Sequence, residues 1–449
     1  MHNLVIIGGG AAGLSAALEA RKINGEADIT LIGNEELFYS PCSLPFVIGG
    51  HIDGFDKISS NLVEICEDSK IKCIICEVTG IDTENKKVLT KEKGDFPYNS
   101  LVIATGGIPF RPPIPGIDND NIFNLKDIHD AKRILERIPG SKKAVVVGGG
   151  AVGIEVAASL RKRGLDVTLI EYCENLLVKS FDADMSSQVK EKLQEEGIKV
   201  ITGSGVDEFM GEGGVTGVKA GQIYEADMVV LGTGIRADGK LAEDAGIETV
   251  KGAIKTDGFM QTNINDIYAA GDCTFSVSLI TFKPTLSQLG TSAMRQGKAA
   301  GANAVGGYAI VEGVLNSMVL KIFDLEIGRT GLTGEDTKTD GFHTVVGKIK
   351  TTTKASYFPG TESVVVKLIF NTLNRRLIGA QVVGKGEGVA EKIDLCALAI
   401  QNNNTMENLM KLKYCYTPPL TPIDNAIVDA AENAHRKTLR IKEVRKRRF

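Results

Sequence analysis

One cysteine, Cys42, lies between two prolines in FYSPCSLPFVIGG, and the next cysteine along the chain is Cys66. Without a near neighbour it cannot be half of a short-range disulfide couple. It can act alone if its redox partner, a second sulfur or an oxygen, arrives from outside the chain. The attacking form is the thiolate, so the local pKa matters. SLPFVIGG can begin a short helix, and a cysteine at a helix N-terminus has a lowered pKa. The other reading is a buried structural cysteine, the usual role of an unbridged thiol.

Two glycine loops could hold the electron source for such a thiol. Residues 4–17 read LVIIGGGAAGLSAA and residues 144–157 read AVVVGGGAVGIEVA. In each, an apolar strand runs into GGGAxG and then into an alanine-rich helix. The glycines fall at Gly8, Gly10 and Gly13, and again at Gly148, Gly150 and Gly153. This is the dinucleotide spacing: a tight turn, a close approach of backbone amides to pyrophosphate, and close helix–strand packing. The helix N-terminus adds unpaired N–H groups and a positive dipole end. A carboxylate for the adenosine ribose is expected about twenty residues further on. DVTLIEYC supplies Glu171, which repels a 2′-phosphate and favours NADH. DITLIGNEEL has Gly33 where the acid is expected, leaving Asn34, Glu35 or the backbone for that ribose.

Composition limits the alternatives. The 449-residue chain suits two or three domains of a globular α/β protein. A net charge of −4 gives no reason to expect nucleic acid or a membrane surface. No apolar run is long enough for a membrane span, and the chain enters a strand pattern without room for a signal peptide. Eight scattered cysteines in a chain this long do not read as a disulfide framework, so a reducing, cytoplasmic setting is expected. Cys73 and Cys76 form a CxxC inside IKCIICEV, which reads as a buried strand rather than a metal site.

Three further segments narrow the field: LVIATGG at 101–107, DMVVLGTGIR at 227–236 and INDIYAAGDC at 264–273. With the two loops, they resemble the FAD-dependent pyridine nucleotide–disulfide oxidoreductases along the whole chain. The resemblance implies an α/β fold with two Rossmann-like dinucleotide-binding domains and a C-terminal α/β dimerisation domain. The implied order is an FAD domain over 1–112, an NAD(P)H domain over 113–240, an FAD return over 241–312 and the dimer unit over 313–449. It places FAD contacts on Gly8, Gly10, Ala11, Ala12 and Gly13. Further FAD contacts fall on Asn34, Glu35, Ser40 and Val78, then on Ala104, Thr105, Gly106, Gly271 and Asp272. The nicotinamide cofactor, NADH with NADPH as the alternative, falls to Gly148, Gly150, Val152, Gly153, Ile154, Glu155, Glu171 and Gly234.

Well-known members carry a CxxxxC pair beside the flavin, and here Val47 stands where the second cysteine would be. Cys42 therefore resembles the single-cysteine branch of coenzyme A disulfide reductases, persulfide reductases, NADH oxidases and NADH peroxidases. The peroxidases carry a histidine where this chain has Ala11. The stretch YCYTPPLTP resembles a reductase segment whose tyrosine reaches the cysteine from the partner subunit, here Tyr416. That tyrosine either donates a proton or packs at a dimer interface. A second tyrosine is expected from a YYPG-like segment, which here reads ASYFPG and leaves Tyr357 beside Phe358. Two more departures are Pro41, where relatives have asparagine, and Ala151, where many have a gating tyrosine. Arg21, Lys22, Lys70 and Lys72 are basic residues that could meet coenzyme A phosphates.

The expected activity is NADH-dependent reduction of low-molecular-weight persulfides, polysulfides or disulfides, with coenzyme A as substrate or bound thiol and a homodimer as the working form. The alternatives are an NADH oxidase using a Cys42 sulfenic acid, and a reductase of a small electron-transfer protein. No metal is expected. The basic tail HRKTLRIKEVRKRRF reads as a solvated helical end.

Overall fold

The computed structural model describes residues 2–386 and 388–446, the last six of these by backbone only. The chain forms two compact units. The first comprises 1–110, 126–131 and 234–314; the second comprises 111–125, 132–233 and 315–449.

The first unit is built on a five-stranded parallel sheet. Its order is Ile267–Ala269, Ser100–Ile103, Asn3–Ile7, Asp28–Gly33 and Lys72–Ile75. Past their first residues the central strands are largely apolar and buried on both faces, as a covered parallel sheet requires. Lys72–Ile75 is the edge strand, so Cys73 and Cys76 are half-buried rather than buried. The loop helix Ala11–Ile23 packs on the helix Gly290–Ala304 with unusual closeness. A Cβ at Gly297 would collide with the Ala12 carbonyl, and one at Gly301 with the Ala16 carbonyl. Alanines on one helix face glycines on the other, so backbone meets backbone.

The second unit repeats the first sheet and adds another. Its parallel sheet runs Ile122–Asn124, Met228–Leu231, Lys143–Val147, Asp166–Ile170 and Lys199–Ile201. Its second sheet is antiparallel, in the order Met318–Ile322, Leu325–Gly331, Leu377–Lys385, Ser363–Asn371 and Thr344–Thr352. Residues 315–449 cluster with the parallel sheet in the second unit, and a charge network joins them to residues 182–184. The Lys367 ammonium lies 2.8 Å from Asp182 and 2.7 Å from Asp184, and Lys348 lies 2.7 Å from Asp184. Gln381 donates to Asp182 at 2.8 Å.

The crossings fall at positions other than 112 and 240. The chain leaves the first unit after Phe110 and returns at Gly234. The antiparallel pair Gly107–Pro109 with Ile235–Ala237 fixes both points. Residues 126–131 also rejoin the first unit, an excursion that composition does not reveal.

The glycine face of Gly290–Ala304 yields a prediction. Gly301→Leu forces a side chain against the Ala16 carbonyl, and overpacking of this kind costs about 1–3 kcal/mol. Denaturant unfolding is expected to show that loss. An unchanged midpoint would mean that the two helices are free to separate.

Candidate active site

The two glycine loops have one geometry. Gly8 and Gly148 both adopt a φ of +110°. A Cβ at Gly8 would strike the Ala104 carbonyl, and one at Gly148 the Gly232 carbonyl. A Cβ at Gly13 would strike the Gly8 carbonyl, and one at Gly153 the Gly148 carbonyl. The middle glycines differ from these. Gly10 and Gly150 have nothing within 4 Å of a built Cβ, so their open side is free for an approaching phosphate. The residues present therefore fit a dinucleotide at each loop. Ala104 to Gly106 and Gly232 to Gly234 are equivalent turns. Sequence reading singled out Gly234, yet Gly232 is the glycine packed on the second loop, and Gly234 belongs to the first unit.

Around the first loop, Gly271 takes a φ of +88° and aims the turn that carries Asp272. Burial pushes the Asp272 carboxyl up, and Lys126 opposes that shift. The turn is held by Gln296, which sequence reading missed. Its Oε1 accepts from the Gly271 N–H at 2.8 Å and from the Thr274 hydroxyl at 3.3 Å, while its Nε2 donates to Ser276 at 2.7 Å. A glutamine inside a helix carries no motif, so only the fold reveals it. Ala11 is half-buried at the helix start, and Ala12 packs under Gly271 and Gly297. Asn34 and Glu35 follow the strand Asp28–Gly33, the first exposed and the second half-buried. Val78 begins a small antiparallel sheet and packs on the apolar cluster beneath the parallel one.

Cys42 sits in the single 3₁₀ turn Pro41–Ser43, which runs directly into the helix Leu44–Ile48. The Ser43 N–H donates to the Ser40 carbonyl at 3.0 Å and closes the turn. Leu44, Val47 and Ile48 are buried and anchor it. Cys42 itself is exposed, as is Ser40. The buried structural reading of Cys42 does not describe this chain. All eight cysteines lie outside any disulfide.

At the second loop, Glu171 follows its strand as expected. One carboxylate oxygen accepts from the Gly149 N–H and the other from the Cys173 N–H at 2.7 Å. Both oxygens are thereby fixed at the mouth of the loop. Val152 is exposed, whereas the Ile154 side chain is fully buried and its N–H donates to the Gly150 carbonyl. The Ile154 side chain is thus part of the core, and only its backbone lies at the helix start. Glu155 is half-buried, and burial alone lifts its carboxyl to about 7.

Tyr357 and Tyr416 come together in the second unit. They are 74% and 45% exposed, and the polar neighbourhood of Tyr357 pushes the Tyr416 phenol up. Arg21, by contrast, is consumed locally by the carbonyls of Gly25, Ala27 and Lys70. Lys22 pairs with Glu19, and Lys72 lies over the Phe96 ring. None of these three basic residues is left as an evident phosphate ligand. Among the described residues there is no His/Cys/Asp/Glu cluster that could hold a metal, and no helix long and apolar enough to cross a membrane.

The Glu155 carboxyl makes stability depend on pH. A group lifted from 4.5 to about 7 binds its proton more tightly in the folded protein. Its contribution is complete below 4.5 and is lost as the pH rises through about 7. Glu155→Gln is therefore expected to raise the thermal midpoint of the apoprotein more at pH 8 than at pH 5. Equal shifts at both values would show that the buried charge is not the cause.

Comparison with known proteins agrees with this geometry. Residues 2–297 match the pyridine nucleotide-disulphide oxidoreductase family, and residues 318–427 match its dimerisation domain. An NADH oxidase of Methanocaldococcus jannaschii is 42% identical over 96% of this chain and 98% of its own. A coenzyme A-dependent NAD(P)H sulfur oxidoreductase of Pyrococcus furiosus is 31% identical over 95% of this chain and 97% of its own. Among solved structures, an NAD-dependent persulfide reductase from A. fulgidus superposes with a TM-score of 0.94 at 33% identity, covering 97% of this chain and 83% of that one. With its two dinucleotide loops, its GD turn and its matched dimerisation domain, the chain belongs to the FAD- and NAD(P)H-dependent pyridine nucleotide-disulphide oxidoreductases.

Proposed function

We propose that this chain reduces low-molecular-weight persulfides, polysulfides or disulfides with NADH, coenzyme A being the favoured carrier. The observation that carries the reading is Cys42, an exposed thiol on an anchored turn with no second cysteine before the buried Cys66. One thiol suffices when the substrate brings the other sulfur.

FAD, once bound to the first loop, supplies the two-electron link between NADH and sulfur. The protein's own part is binding, attack and proton delivery. The Cys42 thiolate attacks a disulfide R–S–S–R′, forming Cys42–S–S–R and expelling R′S⁻. With a persulfide R–S–SH, attack at the inner sulfur gives the same adduct and expels hydrosulfide. Two electrons then split the adduct into the Cys42 thiolate and RS⁻. Tyr416 is the proposed proton donor to the leaving thiolate, acting from the dimerisation domain of a second copy. A phenol carries its proton at neutral pH and so has one to give. The fixed Glu171 carboxylate favours NADH, since a 2′-phosphate would meet its charge. The dimerisation domain supports a homodimer, and eight unbridged thiols support a cytoplasmic setting.

A second reading is oxygen reduction through a Cys42 sulfenic acid, favoured by the 42% identity to a protein named NADH oxidase. Anaerobic NADH consumption with coenzyme A persulfide separates the two. Wild type is expected to turn over and release sulfide, and Cys42→Ser to lose at least about a hundredfold, the scale of losing a covalent nucleophile. Tyr416→Phe is expected to lose about tenfold or more, within the usual range for a general acid. Turnover only in air would replace the sulfur reading with the oxidase one. Full activity in Cys42→Ser would sink both.

A further inference from the structure

Glu171 is the carboxylate assigned to the adenosine ribose of the nicotinamide cofactor, and the strand order sets the direction in which the adenine leaves that ribose. The parallel sheet of the second unit runs Met228–Leu231, Lys143–Val147, Asp166–Ile170 and Lys199–Ile201. From Lys143–Val147 the chain adds the next two strands on one side and Met228–Leu231 on the other, so the order reverses at the glycine loop. A dinucleotide spans such a reversal with its pyrophosphate on the loop and its adenosine half on the side of the acidic residue. In adenosine the phosphate leaves the ribose at C5′ and the base at C1′. With the phosphate at the loop and the ribose hydroxyls at Glu171, the base is carried outwards. It passes the end of Asp166–Ile170 toward the segment that follows Lys199–Ile201.

That segment, residues 202–205, is laced to residues 171–174. The Glu171 N–H donates to the Ile201 carbonyl at 2.8 Å, the Gly203 N–H to the Cys173 carbonyl at 2.8 Å, and the Ser204 N–H to the Glu171 carbonyl at 3.1 Å. The two segments form one ledge beyond the strand ends. Its single aromatic residue is Tyr172. Consecutive side chains of an extended segment point opposite ways, and these two do. The Glu171 carboxylate turns to the Gly149 N–H, while the Tyr172 ring lies against Gly205. A Cβ at Gly205 would stand 3.2 Å from the ring Cδ2 and 3.6 Å from Cε2, so the glycine gives the ring its seat. The rest of the side chain is open, for Tyr172 is 80% exposed. A ring seated on one side and open on the other is a surface for a planar base.

We propose that Tyr172 is the platform on which the adenine of the nicotinamide cofactor stacks, next to the ribose held by Glu171. This rests on the assignment of that cofactor to the second loop. Neither the glycine spacing nor the acidic residue requires an aromatic at this place, so the contact is an addition made by this chain.

The test separates the two halves of the cofactor. ADP-ribose carries the adenosine without nicotinamide, and reduced nicotinamide mononucleotide (NMNH) carries the nicotinamide without adenosine. Binding of ADP-ribose to FAD-loaded protein is measured by calorimetry for wild type, Tyr172→Phe and Tyr172→Ala. Both changes fall on an exposed side chain, where substitutions disturb the fold little. Tyr172→Ala is expected to weaken ADP-ribose about tenfold or more, the scale of one base on one aromatic ring. Tyr172→Phe is expected to keep the wild-type affinity, because stacking needs the ring and not the hydroxyl. With NADH as donor, Tyr172→Ala is expected to raise KM by a similar factor and leave kcat unchanged, the pattern of lost uniform binding. With NMNH its kcat/KM is expected to equal that of wild type. Unchanged ADP-ribose affinity in Tyr172→Ala would overturn the proposal. So would an equal loss in Tyr172→Phe, which points to the hydroxyl, or an equal loss with NMNH, which points to a disturbed loop. Absence of saturable ADP-ribose binding by wild type would overturn the assignment of the second loop itself, a separate failure.

Discussion

The constraint on which the structure depends is backbone meeting backbone where no Cβ fits. In the first unit it acts twice on one helix. At the start of the helix Ala11–Ile23, Gly8 and Gly13 fold the loop against the Ala104 carbonyl and against itself. Along that helix, Gly297 and Gly301 lie on the carbonyls of Ala12 and Ala16. The same helix thus has its phosphate end set by one pair of glycines and its axis by another. Helix N–H groups can bind a pyrophosphate only if the helix end is placed accurately, and close packing on both sides does the placing. Gln296, on the second of these helices, extends the control to the GD turn.

How much of this was legible follows from what leaves a mark at short range. The loops were legible because each glycine answers a local steric demand that recurs at fixed spacing. Glu171 was legible because a strand end has a fixed offset from its loop. Cys42 was legible as a lone thiol, although its turn is a 3₁₀ turn entering the helix rather than the helix start itself. Gln296 and Gly232 left no mark, since each acts on residues distant in sequence. The excursion 126–131 was hidden for the same reason, and so was the union of 315–449 with the second nucleotide-binding sheet. That union rests on Lys367 among aspartates, and pairing across 183 residues has no local pattern. The Ile154 side chain faces the core, because the helix following a glycine loop turns one side inward, and the loop's motif does not say which residue takes it.

Two carboxylates show how the site is prepared. Asp272 in the first unit and Glu155 in the second are both pushed up by burial. Neither accepts a hydrogen bond from a described residue. Partial burial makes the ionised carboxylate costly, a deficit that a correctly placed hydroxyl or amide of a bound cofactor would offset. Cofactor binding then stabilises the folded chain by mass action. The deficit also selects, because a ligand lacking the matching donor leaves the carboxyl as costly as before.

Cys42 obeys the opposite logic. Its turn is anchored by buried Leu44, Val47 and Ile48, but the residue itself is exposed. A nucleophile that must meet a substrate sulfur from solution needs access and a fixed bearing, not burial. In a disulfide couple the protein supplies both sulfurs and must hold the second within reach. Here the next cysteine along the chain is the buried Cys66, so under the proposed function the geometry of attack is set by whatever carries the incoming sulfur. Under the proposed function, the rigidity lies in the turn and the other half of the reaction in the substrate. That arrangement suits a soluble thiol carrier better than an intrachain relay.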